Sequence, residues 1–165
     1  MTDLAVRSRR ATAELPAGRW RALALLSATL VFSMATWFSA SAVIPQLREV
    51  WTLSDTTAAW LTIAVQIGFV AGALVSSVFN LSDIVSPRHV ILGGSVGAAA
   101  VNLGLVAVDG PALGIPLRFA TGFFLAGVYP PALKLMATWF RKGRGVALGV
   151  LVGALVVGHG MPHLV

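Results

Sequence analysis

The chain consists of apolar runs too long and too uninterrupted for a soluble core, with its charged residues gathered almost entirely between them. About 20 predominantly apolar residues cross the hydrocarbon core of a bilayer as a helix. Five segments meet that measure, at about 20–44, 57–79, 87–108, 113–140 and 145–165. Hydrophobic residues make up 57% of the 165 and charged residues only 11%, where a soluble domain would carry about a quarter charged. No water-soluble fold of this length can bury so much apolar sequence. The expected fold is therefore all-α: a polytopic helical membrane protein with five transmembrane helices.

The segment boundaries carry their own signals. Residues 1–19 form a basic tail, expected to be cytoplasmic and disordered. The run from Ala22 to Ile44 is longer than a signal-peptide core of roughly 7–15 residues, so it reads as an anchor rather than a cleaved leader. Pro45 ends the first span. Ser54-Asp55 supplies a cap and an acidic first turn for the second. Ser86-Pro87 reads as N-cap and first helical residue of the third, and Asp109-Gly110-Pro111 as a tight turn into the fourth. Short connections make consecutive spans antiparallel neighbours.

Charge placement gives a direction. The tail and the loops after spans two and four hold Arg7, Arg9, Arg10, Arg19, Arg21, Arg88, Arg141, Lys142 and Arg144, and the other two loops hold only Arg48. By the positive-inside rule the N-terminus is cytoplasmic. The formal charge of +6 is thus explained by topology and does not call for nucleic acid. Trp20, Trp51, Trp60 and Trp139 fall at segment ends, where interfacial aromatics belong. The absence of cysteine excludes disulfides and thiolate metal sites.

Small residues four apart let membrane helices approach closely. Gly68 and Gly72 do this in span two, Gly93 and Gly97 in span three, and Gly145, Gly149 and Gly153 in span five. For a single pair, background glycine explains the spacing equally well. The triple series is expected to be a packing face.

Polar residues inside the spans are costly and so informative. Arg118 lies about five residues into span four, roughly 8 Å from its outer end at 1.5 Å per residue. It either reaches back to the headgroups or faces a watery cavity, binding an anionic group or steering a coupling proton. At 100° per residue, Arg118, Gly122, Leu125 and Tyr129 fall within about 60° of one another, which favours the cavity. Lys134 lies on nearly the opposite face and is expected to snorkel to the cytoplasmic interface. Pro130-Pro131 removes two backbone donors and should kink the span, with either a cavity or a packing role. In span one, Ser33, Thr36 and Trp37 share a side. Gln66 and Asn102 are candidate interhelical hydrogen-bond partners. His159 and His163 are four apart, half of a metal site, but no carboxylate or cysteine completes it. Neither metal nor other cofactor is expected, and no catalytic constellation supports an enzyme.

Three motifs in order resemble the N-terminal part of a major facilitator superfamily transporter. The loop Phe79-Asn-Leu-Ser-Asp-Ile-Val-Ser-Pro-Arg88 is similar to that family's Gly-x-Leu-x-Asp-Arg-x-Gly-Arg-Arg signature. Leu81, Asp83 and Arg88 match it, while Phe79, Ile84, Ser86 and Pro87 depart from it. Arg118-Phe-Ala-Thr-Gly122 resembles the Arg-x-x-x-Gly of the fourth helix. Trp139-Phe-Arg-Lys-Gly-Arg-Gly-Val-Ala-Leu-Gly149 resembles the passage from helix four to helix five.

The resemblance implies an incomplete N-terminal six-helix half of a twelve-helix transporter, truncated after helix five. It places spans one and four on the cavity, spans two and five against a missing C-terminal half, and span three outside. It implies secondary transport of a small, on the strength of Arg118 anionic, solute by alternating access, across a bacterial inner (plasma) membrane. The substrate or coupling residues would be Arg118, Tyr129, Gly122, Trp37 and Ser33, and the cytoplasmic gate Asp83 and Arg88. A non-transporting module that packs against a partner half, in contact with membrane lipid, remains the alternative.

Overall fold

A computed structural model describes residues 18–140 and 143–161. The tail up to residue 17, Arg141, Lys142, Pro162 and His163 lie outside these residues. Among the described residues all regular structure is helical. The elements are α1 (Arg19–Ala42), α2 (Ile44–Val50), α3 (Asp55–Val78), α4 (Leu81–Ile84), α5 (Pro87–Gly104), a 3-10 turn (Leu105–Ala107), α6 (Pro111–Leu125), α7 (Tyr129–Trp139) and α8 (Arg144–Gly160).

Four stretches are long and apolar enough to cross a membrane: Arg19–Ala42, Asp55–Val78, Pro87–Ala107 and Pro111–Trp139. The fifth, Arg144–Gly160, is a shorter apolar helix within the described residues. Several boundary signals act as the sequence implies. The Ser54 hydroxyl accepts from the Thr57 amide at 3.2 Å, with Asp55 in the first turn. Pro87 opens α5 directly after Ser86, whose side chain makes no capping bond. Pro45 differs from expectation. Rather than merely ending span one, it sits in the first turn of α2, where a missing N–H costs nothing. Asn80, with φ 46°, is in the left-handed region and starts the short α4, a conformation that asparagine tolerates better than most residues.

Span four is two helices rather than one. Ala126, Gly127 and Val128 form a turn in which the Gly127 and Val128 amides bond back three residues, to Phe124 and Leu125, at 3.0 Å each. The cause is local. Pro130 and Pro131 have no N–H to offer the carbonyls of Ala126 and Gly127, so the α-helical ladder cannot run through. Val128 then accepts from Ala132 at 3.1 Å and α7 begins.

The helices pack chiefly as α3 on α6, α1 on α8, and α5 on both halves of span four. The α3–α6 contact is backbone to backbone. A Cβ at Gly68 would lie 1.9 Å from the Phe119 carbonyl oxygen, and one at Gly122 would lie 1.9 Å from that of Val65. Gly72 meets the Phe123 carbonyl in the same way. A continuous core links Leu30 of α1, Leu125, Met136 and Leu151, each nearly or fully buried. Many other large apolar side chains face outward, including Leu25, Val70, Leu74 and Leu103. Lipid tails are as apolar as leucine, so such a surface is what a membrane helix bundle should show.

The glycine series of α8 does not pack within this bundle. Among the described residues, nothing lies within 4 Å of where side chains at Gly145, Gly149 and Gly153 would begin. The face that α8 turns inward is Ala147, Leu151, Ala154 and Gly158. Gly158 lets α8 approach the Val31 carbonyl of α1, 2.5 Å from a hypothetical Cβ. On α5 the close contact falls at Gly94 and Gly97 against Phe124, while Gly93 is open.

Candidate functional site

Arg118 is completely buried. It projects from α6 into the space between α1, α3 and α5. Its Nε donates to the Leu61 carbonyl at 3.3 Å. Nη1 donates to the Thr36 carbonyl at 3.3 Å and to Asn102 Oδ1 at 3.4 Å, and Nη2 donates to the Trp37 carbonyl. Asn102 Oδ1 also accepts from Ser39 Oγ at 3.1 Å. One guanidinium therefore joins four helices through a flat fork of donors, a geometry that lysine cannot reproduce. This role was not legible from span four alone, because three of its four acceptors are main-chain oxygens of other helices and the fourth is the Asn102 amide of α5.

The stripe expected on span four divides at the 126–128 turn. Arg118, Gly122 and Leu125 are buried in the helix contacts of α6. Tyr129, the first residue of α7, instead enters a cavity of about 570 Å³. That cavity is lined by Met34, Trp37 and Phe38 of α1, Gln66 and Phe69 of α3, Tyr129 of α7, and Leu155, Val156 and His159 of α8. It thus opens between spans one, two, four and five. Trp37 packs edge-on against Phe69, ring centroids 5.2 Å apart. Phe38 meets the His159 ring at 3.9 Å. Arg118 is not part of this lining. It reaches the cavity only through the Trp37 backbone, whose carbonyl it holds while the indole ring faces the open space.

Ser33 takes the other side of α1. It lines a groove of about 530 Å³ with Thr29 and Thr36, against Arg88, Ser95 and neighbouring apolar residues. The residues proposed for one site from sequence therefore fall in three places: Trp37 and Tyr129 in the cavity, Arg118 and Gly122 in helix contacts, and Ser33 in the α1–α5 groove. Gln66, Phe38 and His159 complete the cavity. Of these, Gln66 carried a sequence signal as an intramembrane amide, and His159 as half of the histidine pair. Phe38 carried none.

The two gate candidates also separate. Asp83 forms an ion pair with Lys134 of α7, whereas Arg88 stands at the α1–α5 groove. Lys134, expected to snorkel to the interface, meets Asp83 of the α3–α5 connection there, both side chains being exposed. At the opposite end of the bundle, Arg48 of α2 pairs with Asp55 at the start of α3. Where span four meets the passage to α8, Arg19 lies over the rings of Trp20 and Phe140, at 5.3 and 5.8 Å from their centroids. Arg144 Nε returns to the Phe140 carbonyl at 3.0 Å. Phe140 thus anchors the start of α1 at the end of span four.

These features define a class: a polytopic α-helical membrane bundle with a cavity between its first, second, fourth and fifth spans. A sequence profile of the Major Facilitator Superfamily matches residues 25–160. The chain belongs to that family, whose members carry small solutes across membranes. No characterised protein and no solved structure matches it.

Proposed function

We propose that this chain supplies solute-facing helices of a secondary active transporter that works by alternating access. In this reading it lies in a cell inner membrane with its N-terminus in the cytoplasm. The observation that carries the reading is the cavity lined by Trp37, Gln66, Phe69, Tyr129 and His159, set between four spans of a chain from a transporter family. Substrate sites of such proteins lie near the bilayer midplane at the interface between repeats. Trp37 and Tyr129 face the solute. Arg118 acts as a positioning residue that fixes the Trp37 backbone. Asp83 and Lys134 close the cytoplasmic end in one state and part in the other. The open faces of α3 and α8, with Gly145, Gly149 and Gly153 on the latter, receive a second helical half.

The chain has no cysteine, so one introduced thiol reports cleanly. Tyr129→Cys in sealed vesicles is expected to react with a membrane-impermeant thiol reagent applied from either side, because alternating access exposes the cavity to both. A Leu103→Cys control on the outward face of α5 is expected to stay unlabelled. Labelling of Tyr129→Cys from one side alone would favour the second reading, a non-transporting module that docks a partner. That reading draws its support from the unfilled glycine series of α8.

A further inference from the structure

We infer that the solute held by this cavity is an uncharged organic molecule with a flat, ring-like apolar body, not a small inorganic anion. The inference rests on the cavity being the solute site. Four aromatic side chains, Trp37, Phe38, Phe69 and Tyr129, line it. Two edge-to-face pairs stand in this wall, Trp37 with Phe69 at 5.2 Å and Phe38 with the ring of His159 at 3.9 Å. Such an array leaves ring faces and edges on which a planar guest can stack. The polar groups are few: the Gln66 amide, the Tyr129 hydroxyl and the His159 imidazole. A few polar groups in an apolar, aromatic wall are what orients an organic ligand.

Charge decides against the anion. Among the described residues, no Arg, Lys, Asp or Glu lines the cavity. An inorganic anion leaving water for an apolar site needs a compensating charge or a dense set of donors. The intramembrane arginine that could have supplied it is fully buried. Its donors are directed to the carbonyls of Leu61, Thr36 and Trp37 and to Asn102. The cavity volume, about 570 Å³, is that of an organic-ligand pocket, for which the usual range is roughly 300–1,000 Å³.

The position of Trp37 allows a direct test. The full chain, reconstituted in lipid nanodiscs, is titrated with 4-nitrobenzyl alcohol, a neutral nitroaromatic that quenches indole fluorescence on contact. The parent protein is compared with Trp37→Phe and with Trp60→Phe, whose indole lies on the outward side of α3 and is 46% exposed. Saturable quenching is expected in the parent and in Trp60→Phe, and its saturable part is expected to vanish in Trp37→Phe. Trp37→Phe keeps the main-chain carbonyl that Arg118 uses. Val156→Phe, which narrows the cavity from α8, is expected to weaken the saturable phase by about fivefold or more, as filling of a pocket should. Millimolar nitrate is expected to leave the titration unchanged.

Quenching that rises linearly and equally in all variants would show partition into lipid only, and would overturn the inference. Displacement of the nitroaromatic by nitrate would overturn it as well. Because the readout is equilibrium binding, it separates from the transport reading. Two-sided labelling of Tyr129→Cys without nitroaromatic binding would leave a transporter of another solute class. Binding with one-sided labelling would leave a static ligand site.

Discussion

At the scale of single residues, Arg118 decides most. An arginine at mid-membrane costs about 2.5–3.5 kcal/mol on insertion scales, and the folded bundle answers that cost with four acceptors from three other helices. Hydrogen bonds from a charged donor contribute about 1.5–3 kcal/mol each, so even two well-formed ones match the insertion cost. The chain gains a cross-link at a point where lipid gives helices no hydrophobic reason to associate. Arg118→Ala is therefore expected to destabilise the bundle by about 2–4 kcal/mol. In thermal unfolding in detergent this is a fall of roughly 5–15 °C in apparent Tm. Arg118→Lys should fall between the two, because three donors on a point charge cannot span acceptors on α1, α3 and α5 at once. A purely solute-binding arginine would behave differently, leaving Tm unmoved by either change. The sequence made Arg118 conspicuous as a cation in an apolar run. Of its partners only the Asn102 amide carried a sequence signal, since backbone oxygens leave no residue signature and these lie 57 to 82 positions away along the chain.

At the scale of elements, glycine spacing marked close approach but not which glycines make it. Gly68 and Gly122 interlock α3 with α6, each within contact distance of the other helix's backbone. Gly145, Gly149 and Gly153 have the same regular spacing, yet a Cβ on any of them would meet nothing within 4 Å among the described residues. The difference follows from helical phase, which a repeat of four leaves undetermined until a neighbour is placed. A methyl group at Gly122 would have to displace the Val65 carbonyl, and main-chain atoms within a helix cannot give way singly. Gly122→Ala is expected to separate α3 from α6 and cost about 1–3 kcal/mol, the usual penalty for overpacking. Gly149→Ala should leave unfolding within error of the parent. Equal effects from the two substitutions would mean that the α3–α6 contact is looser than its geometry implies. The division of span four was partly legible, because Pro130-Pro131 forecasts a kink. Its consequence was not. A continuous helix keeps Tyr129 in phase with Arg118, but the turn at 126–128 resets the phase and sends the phenol to the cavity while the arginine stays in the helix contacts. Residue-by-residue wheel arithmetic holds only as far as the helix does.

For the molecule as a whole, four spans, their order and a shorter apolar helix after them followed from run length, since an apolar stretch of about 20 residues has few alternatives to crossing a bilayer. The ends of the bundle also sort by charge. Lys134 with Asp83, Arg88, Arg19 and Arg144 gather at one end, and Arg48 with Asp55 at the other. A membrane potential acts on this asymmetry with about 2.3 kcal/mol per elementary charge per 100 mV. A loop retained on the negative, cytoplasmic side gains that energy for each basic residue, and one translocated loses it. Nine basic residues in the tail and two loops, against one in the remaining loops, therefore predict a cytoplasmic N-terminus. Alkaline-phosphatase fusions, active only outside the cytoplasm, test this directly. Fusions after Leu53 and after Asp109 are expected to be active, and those after Ser86 and after Gly143 inactive. The opposite pattern would place the Asp83–Lys134 pair at the outer mouth and remove it from any cytoplasmic gate. A uniform loss of activity across all four sites would mean that the chain does not cross the membrane in the alternating order its helices imply.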